Sequence, residues 1–403
     1  MERGNRDVLI TGVGLVSSLG VDTQAHVAHL SGGSCRHVVN EQRFAPYSVH
    51  PLPALDFAAQ IPKKSDLKQM ETWQRIGVYA AGLALQDAGI AGRPELLDRT
   101  HLVVAAGSGE RDIAVDCEVL HRLAEGGDST LLAKQVLPSA LRPTLFLAQL
   151  SNMLAGNISI VHGIKASSRT FMGEEMAGLA AVENSWRRIA AGQADVIVVG
   201  GALNGEREDL LLGFELGHNL WRGPYVPVWE RRDAGGGMIL GSLGAFIVLE
   251  ARSHAEARQA TPYARIVEVA TNHVGRGAGE LTQSLIGLFE GMRPQALQGP
   301  LPILSGASGV EPATSEETAF LDYLPARAIE PVVRAYGSAL GHGVEAHVSA
   351  GLALASLAIR CGCLPAQRGG GMERPFAGAV DRVLLTGVGH WLGEGMALVE
   401  TAN

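Results

Sequence analysis

GEEMAGLAAVENSWRRIAAGQADVIVVGGA, residues 173–202, reads as a helix over 173–192 followed at once by a buried strand over 195–202. Glu174 and Glu175 open the helix and Arg187-Arg188 close it, so charge at each end matches the helix dipole. The strand is an apolar run that stops at glycines, the pattern of a strand covered on both faces. Upstream, LSNMLAGNISIVHGIKASSRT (150–170) leads into the helix. Working outward, DVLITGV (7–13), HLVVAAGSG (101–109) and AFIVLEA (245–251) give further buried strands, and residues 74–90 give a buried helix ending near Gly89. SHAEARQATP (253–262) is polar and precedes a new strand, YARIVEVA (263–270), which places a boundary between halves 1–252 and 253–403. The second half repeats the logic with a strand at 301–309, a helix at 345–360 and strands at 381–388 and 395–400. Two similar α/β halves suggest an internal repeat.

A chain of 403 residues with 46% hydrophobic and 18% charged residues can bury a large core. The net charge of −8 argues against a general nucleic-acid binder. No apolar run approaches the ~20 residues of a membrane span, and the N-terminus carries no apolar signal core, so a cytoplasmic protein is expected. The cysteines are Cys35, Cys117, Cys361 and Cys363, with no CxxC pair and no zinc-finger spacing. Reduced thiols, no metal and no cofactor are therefore expected, with Cys35 and Cys117 as buried or incidental thiols. Pattern alone reaches a large α/β enzyme-like fold and stops there.

The order of motifs resembles the β-ketoacyl-[acyl carrier protein] synthases. VLITGVGLVSSLG (8–20), the segment 150–170, RRIAAGQADVIVVGGA (187–202), RRD (231–233), VLEARSHAEARQA (248–260) and GSALGHG (337–343) follow in family order over nearly the whole chain. The resemblance implies a thiolase-like five-layered α/β/α/β/α fold. It also implies a site of one Cys at a sharp strand-to-helix turn and two His. The Cys takes the acyl chain as a thioester, and the His pair polarises the malonyl group during decarboxylative condensation.

Counting forward from Gly163, and back from the strand at 195–201, the Cys position falls on Glu175. The first His position becomes Ala307, in Ser305–Pro312, and the second remains His342. The family lysine near it is Gly337, and Trp391 takes the place of the gating Phe. A carboxylate cannot form the thioester, so Glu175 is expected to fill the oxyanion hole of a site that does not condense. The alternative is an ordinary acidic first turn. His342 is expected to keep a packing or hydrogen-bonding duty, and His101, His162, His347 and His390 to be core residues.

The resemblance further implies dimerisation through a strand near SSRTFM (167–172), with Met153 and Met172 lining an acyl tunnel. Lys63, Lys64 and Lys68 would dock an acyl carrier protein. The function so implied is a chain-length-factor-like subunit, paired with a Cys-containing ketosynthase in type II fatty-acid synthesis (possible products include very long chains for lipid A) or polyketide synthesis. Two alternatives stay open: an active 3-oxoacyl synthase or malonyl-carrier decarboxylase, and an acyl-carrier-binding homodimer without catalysis.

Overall fold

The computed structural model describes residues 4–31, 37–141, 145–292, 297 and 299–402. Cys35 lies outside them. Ten strands form one continuous sheet: β1 (Val8–Val16), β2 (His101–Ala105), β3 (Ser168–Phe171), β4 (Val196–Leu203), β5 (Leu243–Ala251), β6 (Ala264–Asn272), β7 (Gly299–Ser305), β8 (Ile329–Ala335), β9 (Arg382–Val388) and β10 (Glu394–Glu400). Their order is β8-β7-β9-β10-β6-β1-β5-β4-β2-β3.

The first five strands therefore lie in the order third, second, fourth, fifth, first, and so do the last five. The ladders match as well. The second strand of each set runs parallel to the third and fourth, and the fifth is antiparallel to the fourth and the first. A short antiparallel ladder joins the two sets, with Val8 opposite Ile266 and Ile10 opposite Ala264.

The main helices are α1 (Thr72–Asp87), α2 (Ile113–Ala124), α3 (Met153–His162), α4 (Glu174–Ala190), α5 (Glu208–Leu216), α6 (Glu280–Gly291), α7 (Ala313–Tyr323) and α8 (His347–Cys361). Helices α4 and α8 form the middle layer. Their side chains share one core with β1, β4, β5, β6 and β9. Helices α1 and α3 cover the outer face of the first strand set, and α6 and α7 cover that of the second. This is the five-layered α/β architecture expected from the motif order.

In α8 every residue from His347 to Ile359 is buried, as a helix apolar on all sides must be. The stretch Val344–Cys361 is long and apolar enough to cross a membrane, but 89% of it is packed inside the protein, which makes it a core helix. Close approach of the layers depends on missing side chains. A Cβ on Gly178 of α4 would sit 2.6 Å from the Glu345 carbonyl oxygen, and one on Gly14 of β1 would sit 2.0 Å from that of Ala80.

Strand β3 is an edge. It pairs with β2 alone and its side chains are exposed or half-buried.

Candidate active site

The chain leaves β3 at Phe171 and turns into α4 within two residues. Gly173, at φ 128°, allows the turn. Glu174 follows at φ 52°, a left-handed conformation rare for a residue with a side chain and frequent at functional sites. The turn directs the two glutamates apart. Glu175 points into the protein and is 2% exposed. Glu174 stays half-buried beside a cavity.

Two imidazoles meet the Glu175 carboxylate. His342 Nε2 lies 2.7 Å from Oε1, and His390 Nδ1 lies 3.0 Å from Oε1 and 3.2 Å from Oε2. His342 is fixed by its backbone, whose N–H donates to the Ile239 carbonyl and whose carbonyl accepts from the Gly241 N–H. His390 sits on the loop after β9. Arg276 holds that loop by donating to the carbonyls of Gly389 and Gly393.

Burial opposes charge on Glu175, but hydrogen bonds and attraction from both imidazoles outweigh it and hold the carboxyl well below the usual carboxylate range. For His390 burial likewise opposes the charge, and the hydrogen bond and charge of Glu175, then the charge of Glu174, win and raise its pKa. No backbone amide among the described residues donates to this carboxylate. The expectation that Glu175 fills an amide-lined oxyanion hole is thus corrected: imidazoles, not amides, take it.

His390 and His347 also differ from expectation. Rather than a bystander in the core, His390 is the second partner of Glu175. His347 stacks between Tyr336 (ring centroids 4.3 Å apart) and His342 (4.2 Å). Burial drives its pKa well below normal, and the Gly343 N–H donates to its Nδ1. Ala307 is buried in the loop after β7. Its N–H donates to Ser305 Oγ, which donates in turn to the buried Glu317. Burial pushes that carboxyl up to about 7.

Trp391 is 58% exposed, and its indole N–H donates to the Glu174 carboxylate. With Met172, Gly173, Trp73 and Glu345 it lines a cavity of about 290 Å³. Met172 thus reaches the site, whereas Met153, half-buried at the start of α3, does not line the cavities beside Glu174. Lys63, Lys64 and Lys68 lie exposed at the helix Lys64–Gln69, also away from these cavities. Cys117, expected to be buried or incidental, is exposed on α2. Neither it, Cys361 nor Cys363 lines the cavities around Glu174.

Glu174, Glu175 and His390 present ligand atoms within 4.8 Å of one another, the donor set among the described residues that could hold a metal ion. Glu175 already accepts two imidazoles, so the geometry is first that of a buried ion pair.

The beta-ketoacyl synthase N-terminal domain matches residues 5–255, well over half of the chain. The chain belongs to the beta-ketoacyl synthase family. It is 28% identical over 273 residues to a 3-oxoacyl-[acyl-carrier-protein] synthase 2 of Vibrio cholerae, covering 65% of this chain and 62% of that protein. The Rhizobium meliloti protein of the same name is 28% identical over 290 residues, with 65% and 63% covered. The match thus spans less than two thirds of these relatives. Among solved structures, the ishigamide ketosynthase/chain length factor superposes with a TM-score of 0.80 at 20% identity, covering 99% of this chain and all of that one. A beta-ketoacyl synthase from Burkholderia phymatum gives 0.76 at 19%, covering 98% and 100%. At these identities the structural likeness speaks for the ketosynthase fold.

The ion pair has a pH signature. A depressed carboxyl stabilises the fold above its unfolded pKa, about 4.3, and the stabilisation fades as pH falls below it. A raised imidazole stabilises it below about 6.5, and the stabilisation fades as pH climbs through the folded value. Glu175→Gln is therefore expected to cost most between these limits, on the order of 3 kcal/mol for a buried pair losing one partner. The difference in melting temperature from wild type, measured across pH, should shrink on both sides of that window. A difference independent of pH would disprove the charged pair.

Proposed function

We propose that this ketosynthase-family chain is a non-condensing, chain-length-factor-type subunit that pairs with a Cys-containing ketosynthase in type II fatty-acid or polyketide synthesis. One observation carries the reading: the Glu175 carboxylate, which the count from Gly163 and from the strand at 195–201 aligns with the family's nucleophile position, is locked between His342 and His390. A carboxylate in that state has no thiol chemistry to offer and cannot carry an acyl thioester.

The surface supports a partner. Strand β3 leaves an unpaired edge, which proteins otherwise cover or blunt. Ile160 and Met172 are large exposed apolar side chains on the segments flanking it. Leu120, Leu141, Phe146, Leu212 and Leu216, all exposed, line an open apolar cavity of about 1150 Å³ between α2 and α5. An apolar area of this kind marks a protein contact. The acyl carrier protein enters the reading as the bearer of the growing chain, with Lys63, Lys64 and Lys68 as a docking patch for its acidic surface.

Expressed in its native host with an affinity tag, the chain is expected to bring down one ketosynthase in equal amount, and mass spectrometry should find a cysteine at that partner's nucleophile position. Homodimers alone would refute the pairing and favour the acyl-carrier-binding homodimer.

A further inference from the structure

His390 has two working edges. Its Nδ1 is held by the buried Glu175, as an imidazole is held by a carboxylate in a catalytic dyad. Its Nε2 lies 3.6 Å from Oε2 of Glu174, and both residues line an open cavity of about 590 Å³. That separation leaves room for a water molecule at the apex, within hydrogen-bond reach of both groups.

We propose that His390 and Glu174 activate a water molecule in this cavity, and that the chain hydrolyses acyl thioesters. Three features support a built site. First, Glu174 holds a left-handed backbone conformation, of the kind found at functional sites, and its carboxylate is held by the Trp391 indole. Second, Phe214 packs edge-on against the His390 ring at 5.6 Å between centroids, fixing its plane. Third, the amide side chains of Gln149 and Asn219 line the same cavity and bring N–H donors of the kind that hold a developing oxyanion.

In the step proposed, the water oxygen attacks the thioester carbonyl carbon while its proton passes to His390 Nε2. The tetrahedral intermediate collapses, the C–S bond breaks, and the proton moves from His390 to the leaving thiolate. The products are a carboxylic acid and a free thiol, and the imidazole is neutral again. No bond to the chain forms. Glu175 is a positioning residue that fixes the His390 tautomer and stabilises the imidazolium. The choice of a carrier-borne thioester as substrate rests on the family reading above; the water-activating geometry does not.

The test uses the purified full chain and octanoyl-N-acetylcysteamine, with thiol release followed by a thiol-reactive dye in the presence of EDTA. Release in proportion to protein is expected, rising with pH as His390 loses its proton, with a midpoint above 6.5. The charged groups facing His390 are Glu174 and Glu175 from α4 and Arg276 from the segment after β6. His390→Gln should lower the rate at least ~100-fold, the usual worth of a general base. Glu175→Gln should move the midpoint down, which a merely structural role would not do. Glu174→Gln leaves the contacts between Glu175 and the two imidazoles in place and should lower the rate of a protein that remains folded.

No release above buffer by the folded chain, an unchanged rate in folded His390→Gln, or loss of activity to the chelator would each overturn the proposal. Partner capture is independent of this assay, so failure of one leaves the other standing. Release from the small thioester but none from the acyl carrier protein would keep the site and refute the carrier-borne substrate.

Discussion

Glu175→Cys is expected to give no measurable β-ketoacyl product when the isolated chain is supplied with acyl and malonyl carrier proteins. The argument begins with what the substitution supplies and what it removes. A thiol at the first turn of α4 lies near the positive end of the helix, which lowers its pKa and makes it reactive. Slow self-acylation, visible as an added mass on the intact protein, is compatible with that.

Condensation needs more than a nucleophile. By the sequence register the family's first imidazole position falls on Ala307, whose methyl group donates nothing. His347 is near, but its face is stacked on Tyr336 and its Nδ1 is engaged by the Gly343 amide. His390, on the loop after β9, presents its Nε2 to the cavity it shares with Glu174, a cavity that Ala307 does not line. The malonyl group would therefore meet one imidazole in place of two. Glu175→Cys combined with Ala307→His is the double variant expected to gain activity. Wild-type protein should acquire no acyl mass at all. Robust product from the single variant would mean that His347 or His390 supplies the second imidazole, and the assignment at 307 would fall.

The same site shows why some of it was legible in the sequence and some was not. Helix α4 and strand β4 could be read because their signals are local: acids at the start, arginines at the end, then an apolar run closed by glycines. Glu175 could be placed because both neighbouring anchors count to it without a gap. Its partner His390 could not. It lies 215 residues away, and only the folding of the second strand set over α4 brings the loop after β9 onto the turn. The one local signal was a His-Trp pair inside a glycine-rich loop, where the bulky indole of Trp391 is the more conspicuous residue. The oxyanion-hole expectation failed for the same reason. Amides at a helix N-terminus are visible in sequence, whereas a remote imidazole that binds the carboxylate better is not. His347 was hidden differently: in an all-buried helix, a histidine that packs and a histidine that flanks a site leave the same pattern.

Enlarging side chains along the segment proposed to face the partner is expected to shorten the product made by the complex, and trimming them to lengthen it, with turnover retained. The positions must be chosen by what they touch in this chain. Leu154, Ala155 and Ile158 are packed against the core and would report folding instead of length. Gly156 is the better site, since a Cβ there meets nothing within 4 Å. Gly156→Leu or Gly156→Phe should therefore fold normally and project into whatever the partner and this helix enclose. Ile160 and Met172, 69% and 65% exposed, are the sites for truncation to Ala. Each such truncation removes several buried methylenes if the surface is covered in the complex, at about 0.8 kcal/mol for each. Binding of the partner must thus be measured alongside product length. Met153 serves as the comparison, because it lines none of the cavities beside Glu174 and its substitution should change length less than that of Met172. Mass spectrometry of carrier-bound products reads the outcome directly. Unchanged length across the whole series in an intact complex would remove the chain-length role and leave this subunit as a stabiliser of its partner.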